Sequence, residues 1–134
     1  MNSRSTMVVA CLGLALLASS RAALAHHSFA AEFDANKPFT FTGVVTKVEW
    51  QNPHTYFYVD VTDAASGKVT NWALEMGSPN GLMNQGWTRN TLKVGDVVTV
   101  DGSVARSGKP LGNARSVVLT ATGQRLFAAS SAPQ

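Results

Sequence analysis

Residues 50–54 read Trp50-Gln51-Asn52-Pro53-His54, a corner between two runs of strand-forming residues. Proline has a fixed φ and the residue before it favours extended backbone, so Asn52 is expected to end one strand and Pro53 to turn the chain. After the corner the residues alternate, which places Phe57, Val59 and Val61 on one face of a strand and His54, Tyr56, Tyr58 and Asp60 on the other. The corner therefore predicts a histidine held beside the polar face of a strand.

The pattern on either side of the corner predicts five strands and one short helix. The strands are expected at residues 39–50, 54–63, 68–76, 97–105 and 113–120, with a short edge piece at 123–127. Ser78 is the expected helix cap and Pro79 the first helical residue, and Leu82, Met83 and Trp87 are the expected contact face.

The first predicted strand changes phase near Gly43, which suggests a bulge or a sharp bend. Phe39 and Phe41 lie on one face before this glycine, and Val44, Val48 and Trp50 lie on the other face after it. A long bent strand that serves two sheets, followed by this order of elements, is typical of a small closed barrel. We expect a mainly β fold, a five-stranded OB-like barrel with one short helix between strands 3 and 4. The alternative is an open five-stranded antiparallel sheet packed on one helix.

The first 25 residues read as a secretory signal peptide. Arg4 gives the positive start, an apolar run spans residues 7–18, and Ala23-Leu24-Ala25 is a typical cleavage site. The run is too short for a membrane-spanning helix. Cleavage would leave a leader at 26–37, a barrel domain at 38–127 and a flexible tail at 128–134, in a periplasmic or secreted protein with no stable membrane insertion.

Charge and cysteine content exclude several classes of function. Loss of Arg4 and Arg21 with the signal leaves nine basic against eight acidic residues, scattered singly. A nucleic-acid binder is expected to carry a basic patch, so no nucleic-acid partner is predicted. The single cysteine, Cys11, lies within the signal, so the mature chain has no disulfide and no thiolate ligand.

Motifs spread along the mature chain resemble those of a family of small exported bacterial proteins without an assigned function. They are the His26-His27-Ser28-Phe29 start, Gly43-Val44-Val45, Trp50-x-Asn52-Pro53-His54, Trp72, Gly77-Ser78-Pro79-Asn80, Gly86-Trp87-Thr88-Arg89 and Leu92-Lys93-x-Gly95-Asp96. The resemblance covers about residues 26–127. It implies export and a small β-barrel, and it carries no activity to transfer.

The predicted cleavage makes His26 an N-terminal histidine, whose free amine and imidazole can chelate one metal ion. His27 and His54 are the other two histidines of the chain. Nitrogen donors of this kind suit Cu(II), and the set looks like the copper "histidine brace" of exported copper proteins. The predicted metal ligands are therefore His26, His27 and His54, and copper is the candidate cofactor. The same residues are also compatible with a solvated terminus and with a turn histidine bonded to a backbone carbonyl.

The aromatic residues near the corner form a second candidate site. Tyr56 and Tyr58, with Trp50, Asn52 and Trp87 nearby, are compatible with a stacking platform for sugars or bases. Rings that cover the barrel wall or pack under the helix are the alternative, which we favour. Glu75 and Arg89 are expected to pair across the helix region.

The sequence has no nucleophile or zinc-protease motif, so no enzymatic activity is predicted. The expected function is an exported OB-like binding module that takes up copper through its histidines. The alternative is a structural or interaction protein whose barrel groove binds a partner protein or a small envelope ligand without metal.

Overall fold

The computed structural model describes residues 29–129. Residues 29–32 are helical and belong to a separate unit, and the fold that follows is that of residues 33–129. Its elements are β1 (Phe33–Glu49), β2 (Tyr56–Thr62), β3 (Val69–Glu75), helix α1 (Pro79–Asn84), β4 (Val97–Ala105), β5 (Leu111–Leu119) and β6 (Arg125–Phe127). The predicted order of three strands, a short helix, two strands and a short edge strand is therefore confirmed.

The strands form a six-stranded sheet in the order β3-β2-β1-β4-β5-β6, and these neighbours are antiparallel. A further, parallel pairing sets residues 73–75 of β3 opposite residues 111–113 of β5. Strand β1 is long enough to pair with β4 along residues 33–44 and with β2 along residues 44–49. Strand β3 is thus linked to β1 by two routes. One runs through β2, and the other runs through β5 and β4.

The start of β1 differs from the prediction. The strand begins at Phe33, which lies opposite Ala105 and is buried, whereas residues 26–37 were expected to be a leader without strand pattern. The pairing with β4 is irregular between Phe33 and Pro38. This irregularity and the proline break the alternation that identifies a strand, which is why the sequence pattern began near Phe39.

The phase change of β1 occurs at Thr46. Val45 lies opposite Val59 and Lys47 lies opposite Tyr58, so Thr46 is the extra residue of a β-bulge. The sequence predicted an irregularity but placed it at Gly43, three residues too early.

The misplaced bulge explains why one residue of β1 was assigned to the wrong face. Because the phase holds until residue 45, Val45 is buried at 1% exposure, whereas Val44, which was expected to share a face with Val48 and Trp50, is 42% exposed. Gly43 has a different role, since a Cβ there would collide with the carbonyl oxygen of Asp60 on β2. The glycine thus permits close approach of two backbones.

One hydrophobic core fills the space between the strands and the helix. The predicted alternation of β2 is confirmed, because Phe57 and Val59 are buried while Tyr56 and Tyr58 are half-buried. The largest buried side chains of this core are Trp87, Phe57, Leu74, Met76, Leu82, Val45, Val59, Val98, Val100 and Val117. Burial of each such side chain contributes roughly 1.5–3 kcal/mol to folding.

Helix α1 starts as predicted. Ser78 is the cap and its hydroxyl accepts a hydrogen bond from the backbone N–H of Gly81 at 3.2 Å, and Pro79 follows in the first turn. Leu82 faces the core, but Met83 is 51% exposed, so its assignment to the contact face was wrong. The helix ends at Asn84, and a helix this short buries only one narrow stripe.

One carboxylate joins four strands, β1, β4, β5 and β6. Asp101 of β4 accepts hydrogen bonds from Thr40 of β1 at 2.8 Å, from Ser116 of β5 at 3.0 Å and from Arg125 of β6 at 3.2 Å. The hydrogen bond from Thr40, followed by those from Ser116 and Arg125, holds the pKa of Asp101 below its ordinary value of 3.8, against the opposing effect of burial.

We expect Asp101→Asn to lower the free energy of unfolding by roughly 1–2 kcal/mol at neutral pH, because the side chain is partly exposed and its charge is screened. A lowered pKa stabilises the fold above 3.8, and that contribution is lost as the pH falls through the folded-state pKa. The difference between wild type and variant should therefore shrink below pH 3.8. Urea unfolding across this range measures it, and a difference that grows on acidification would contradict the assignment.

Candidate functional site at the corner of residues 50–54

The corner lies between the end of β1 at Glu49 and the start of β2 at Tyr56. The peptide bond between Asn52 and Pro53 is cis. Beyond it, Thr55 extends the β2–β3 ladder: its N–H donates to the carbonyl of Gly77 at 3.0 Å, and its carbonyl accepts from Met76 at 2.8 Å. The corner is thus held against the chain that leaves β3, so the residues beside it have fixed positions.

His54 is fixed by the same chain. Its Nδ1 lies 3.2 Å from the carbonyl oxygen of Met76 and 3.7 Å from Oε1 of Glu75. A carbonyl oxygen accepts only, so this contact is a hydrogen bond in the tautomer that carries the proton on Nδ1. The side chain is 38% exposed, and no described residue hydrogen-bonds to Nε2. His54 is therefore a turn histidine bonded to a backbone carbonyl, and its second ring nitrogen is not engaged by residues 29–129.

Glu75 is a buried carboxylate next to this histidine. Its Oε2 accepts a hydrogen bond of 2.6 Å from the hydroxyl of Tyr56, and its Oε1 accepts one of 3.4 Å from the side-chain amide of Asn113. The side chain is 8% exposed. Tyr56 and Asn113 both lie directly opposite Glu75, on β2 and β5 respectively. Residues of three strands thus fix the position of this carboxylate. Burial of a carboxylate is costly unless hydrogen-bond donors contact it, and Tyr56 and Asn113 provide them.

The predicted pairing of Glu75 with Arg89 is wrong, and the involvement of Asn113 was missed. Counting residues outward from the β2–β3 hairpin would have identified Tyr56 as a partner of Glu75. Residues 63 and 68 bracket the β2–β3 turn, and counting outward from them sets Tyr56 opposite Glu75, as observed. Asn113 comes from the parallel β3–β5 pairing, for which the local sequence gives no register.

Tyr58 belongs to a second, more exposed cluster on the same face. Its hydroxyl donates to Glu49 at 3.0 Å, Lys47 forms an ion pair with Glu49, and the Lys47 ammonium lies 5.2 Å from the centre of the Tyr58 ring. Burial, and then the hydrogen bond to Glu49, raises the pKa of Tyr58. The Lys47 contact covers part of the Tyr58 ring.

The tryptophans Trp50 and Trp87 line a cleft beside the corner. Its other lining residues are Val48, Met76, Thr88, Arg89 and Leu92, and its empty space of about 160 Å³ includes open solvent. Trp87 is 2% exposed and its Nε1 donates to the carbonyl of Phe127 at 2.6 Å, which makes it a structural residue. The cleft has no room for a water-sized sphere, so it is a shallow depression and not an enclosed small-molecule site.

The remaining predicted site residues are distributed as follows. Asn52 is exposed at the corner, and His26 and His27 lie outside the described residues. Within residues 29–129 no group of three or more His, Cys, Asp or Glu side chains is arranged to hold a metal ion. In the same range no helix has the length and apolar character needed to cross a membrane.

These features define a small, mainly β domain with one histidine fixed beside a buried glutamate. The chain belongs to the Family of unknown function (DUF6152), and the match covers residues 14–114, which include the corner. The expected resemblance to a family without assigned activity is thereby confirmed. Neither a curated protein nor a solved structure gives a match.

Proposed function

We propose that the protein is an exported OB-like binding module that takes up one Cu(II) ion through His54 and the predicted N-terminal residues His26 and His27. The observation that carries the proposal is the geometry of His54. Its Nδ1 is bonded to the Met76 carbonyl and its Nε2 has no described partner. Histidines that bind metals characteristically donate their other ring N–H to a backbone carbonyl or a carboxylate, which fixes the ring and its tautomer.

Support for an OB-like barrel comes from the strand pairings. The chain of neighbours β1-β2-β3-β5-β4 returns to β1, and the one helix lies between β3 and β4 in the sequence. An OB-fold is a five-stranded, partly open Greek-key barrel. In this interpretation the bulge at Thr46 bends β1 so that it serves both sides of the barrel.

The choice of copper follows from the donors. Cleavage after Ala25 would give His26 a free α-amine, whose ordinary pKa of about 7.7–8.0 makes it easier to deprotonate than a lysine. This amine and up to three imidazoles form a nitrogen set that suits Cu(II). The proposal requires the leader to bring His26 to the corner, and it requires export with cleavage at this position.

A native N-terminus is therefore essential to the test. Mass spectrometry of protein recovered from the periplasm should give a chain that starts at His26. That protein should bind one equivalent of Cu(II) more tightly than a synthetic peptide of residues 26–33. An added glycine before His26 should weaken binding strongly, because it moves the free amine away from the imidazole that completes its chelate ring. Equal affinity of protein, peptide and extended variant would contradict the proposal.

A second candidate function is suggested by the cleft. Arg89 is exposed, no described residue forms an ion pair with it, and Trp50 and Leu92 supply an apolar wall beside it. An exposed arginine beside apolar side chains suits contact with an acidic or amphipathic segment of a partner protein. Under this alternative the mature protein binds copper no more tightly than the peptide, so the same titration separates the two functions.

A further inference from the structure

We infer that Glu75 is a positioning residue for the proposed copper site, because its carboxylate acts together with the Met76 carbonyl to favour the His54 tautomer that leaves Nε2 free for the metal. The inference rests on the proposed function and assigns a role to a residue outside the predicted ligand set. Every contact that it uses lies within residues 29–129.

The Glu75 carboxylate is held firmly by two neighbouring strands. Tyr56 and Asn113 donate to its two oxygens from β2 and β5, at 2.6 Å and 3.4 Å. Both oxygens act as acceptors, as expected of an ionised carboxylate. Because the side chain is only 8% exposed, water screens its charge weakly. Glu75 is therefore a fixed acceptor and not a mobile surface charge.

The imidazole of His54 faces two acceptors on one side. Oε1 of Glu75 lies 3.7 Å from Nδ1, which is too long for a hydrogen bond but close enough for a strong electrostatic effect. The Met76 carbonyl lies 3.2 Å from the same nitrogen. Both acceptors repel a lone pair at Nδ1, so the proton is stabilised there and the lone pair of the neutral ring is placed on Nε2. Free histidine in water prefers the opposite tautomer, with the proton on Nε2, so the tautomer itself reports whether the carboxylate acts in this way.

The variant Glu75→Gln removes the charge and keeps the shape. The hydrogen bond from Tyr56 is shorter than the one from Asn113, 2.6 Å against 3.4 Å. The amide oxygen of the substituted side chain is therefore expected to take the Oε2 position and its N–H₂ to face His54. A donor then lies opposite Nδ1 in place of an acceptor. The tautomer with the proton on Nε2 becomes more favourable, and that nitrogen is less available to a metal.

Glu49→Gln is the matched control. Glu49 also accepts a hydrogen bond from a β2 tyrosine, Tyr58 at 3.0 Å, and lies on the same face, but no contact joins it to His54. Any general effect of removing a carboxylate from this face will appear in both variants. An effect on the His54 tautomer is expected in Glu75→Gln alone.

The experiment measures the ring ¹⁵N chemical shifts of His54 in metal-free protein, above the pH at which the ring is protonated. We expect a protonated Nδ1 and a pyridine-type Nε2 in wild type and in Glu49→Gln, and a shift toward protonated Nε2 in Glu75→Gln. Cu(II) affinity should fall about tenfold in Glu75→Gln and remain unchanged in Glu49→Gln.

Two results would overturn the inference: wild-type His54 protonated mainly on Nε2, or the same tautomer in Glu75→Gln as in wild type. The first needs no variant, so a poorly folded Glu75→Gln does not remove the test. Because the tautomer is measured without metal, its outcome is independent of the proposed function. A confirmed tautomer effect together with copper binding no stronger than that of the 26–33 peptide would show that the proposed function fails while the role of Glu75 in orienting His54 stands.

Discussion

His54→Asn is expected to lower the affinity of the mature protein for Cu(II) on the order of 100-fold. Loss of a residue that hydrogen-bonds to a metal ligand typically lowers affinity by about 10- to 100-fold, and loss of the ligand itself should have at least as large an effect. The asparagine amide can replace Nδ1 as a donor to the Met76 carbonyl, which accepts from His54 at 3.2 Å. It has no atom that replaces Nε2. Copper quenching of tryptophan fluorescence, with a competing chelator, measures the affinity.

The control for this variant is Asn52→Ala, which alters an exposed residue of the same corner and leaves the imidazole in place. Its copper affinity should equal that of wild type. The unfolding free energy of His54→Asn should remain within roughly 1 kcal/mol of wild type, because the backbone contact is preserved. Wild-type copper affinity in His54→Asn would exclude His54 as a ligand and leave the terminal histidines as an adventitious chelator.

Gly102→Ala is expected to produce the largest loss of stability, at least about 3 kcal/mol. A Cβ at this position would overlap the backbone carbonyl of Asn113 on β5 and approach Cζ of Phe39 to 2.7 Å. Phe39 cannot retreat easily, since its ring also lies 2.6 Å from the position of a Cβ on Gly112. Strands β4 and β5 would have to separate or the phenylalanine would have to leave the core. Urea unfolding measures the change.

Gly108→Ala is the matched control for the glycine prediction. Nothing lies within 4 Å of a Cβ there, and the only cost comes from its φ of +72°. Such backbone strain costs roughly 1–2 kcal/mol in a residue other than glycine. If Gly102→Ala proves no more destabilising than Gly108→Ala, the close packing of β4, β5 and Phe39 is wrong.

The parts of the fold that could be predicted from the sequence are those with strong local signals. The alternation of Phe57 and Val59, the glycine-containing turn before β3 and the Ser78–Pro79 helix start each depend on neighbouring residues only. Local rules of periodicity and capping are sufficient for such elements. The order of strands and helix followed from them.

The errors concern features that depend on contacts distant in sequence. The bulge at Thr46 is set by the register between β1 and β2, and placing it three residues too early put Val44 on the face of Val48 and Trp50. Similarly, Glu75 was paired with Arg89 across the helix region, whereas its partners come from β2 and β5. For His54, a bond to a backbone carbonyl was one of the two alternatives that the sequence left open, but the buried carboxylate beside it was not predicted.

The most direct test of the proposed copper site is to locate the ion by paramagnetic broadening. Cu(II) is added well below one equivalent to ¹⁵N-labelled protein that starts at His26, and amide signals are followed by NMR. We predict selective broadening of the amide signals of Thr55, Gly77 and the first residues of the mature chain. Thr55 directly follows His54, and its N–H donates a 3.0 Å hydrogen bond to the carbonyl of Gly77. Broadening confined to the first residues, with Thr55 and Gly77 unaffected, would contradict a site at the corner.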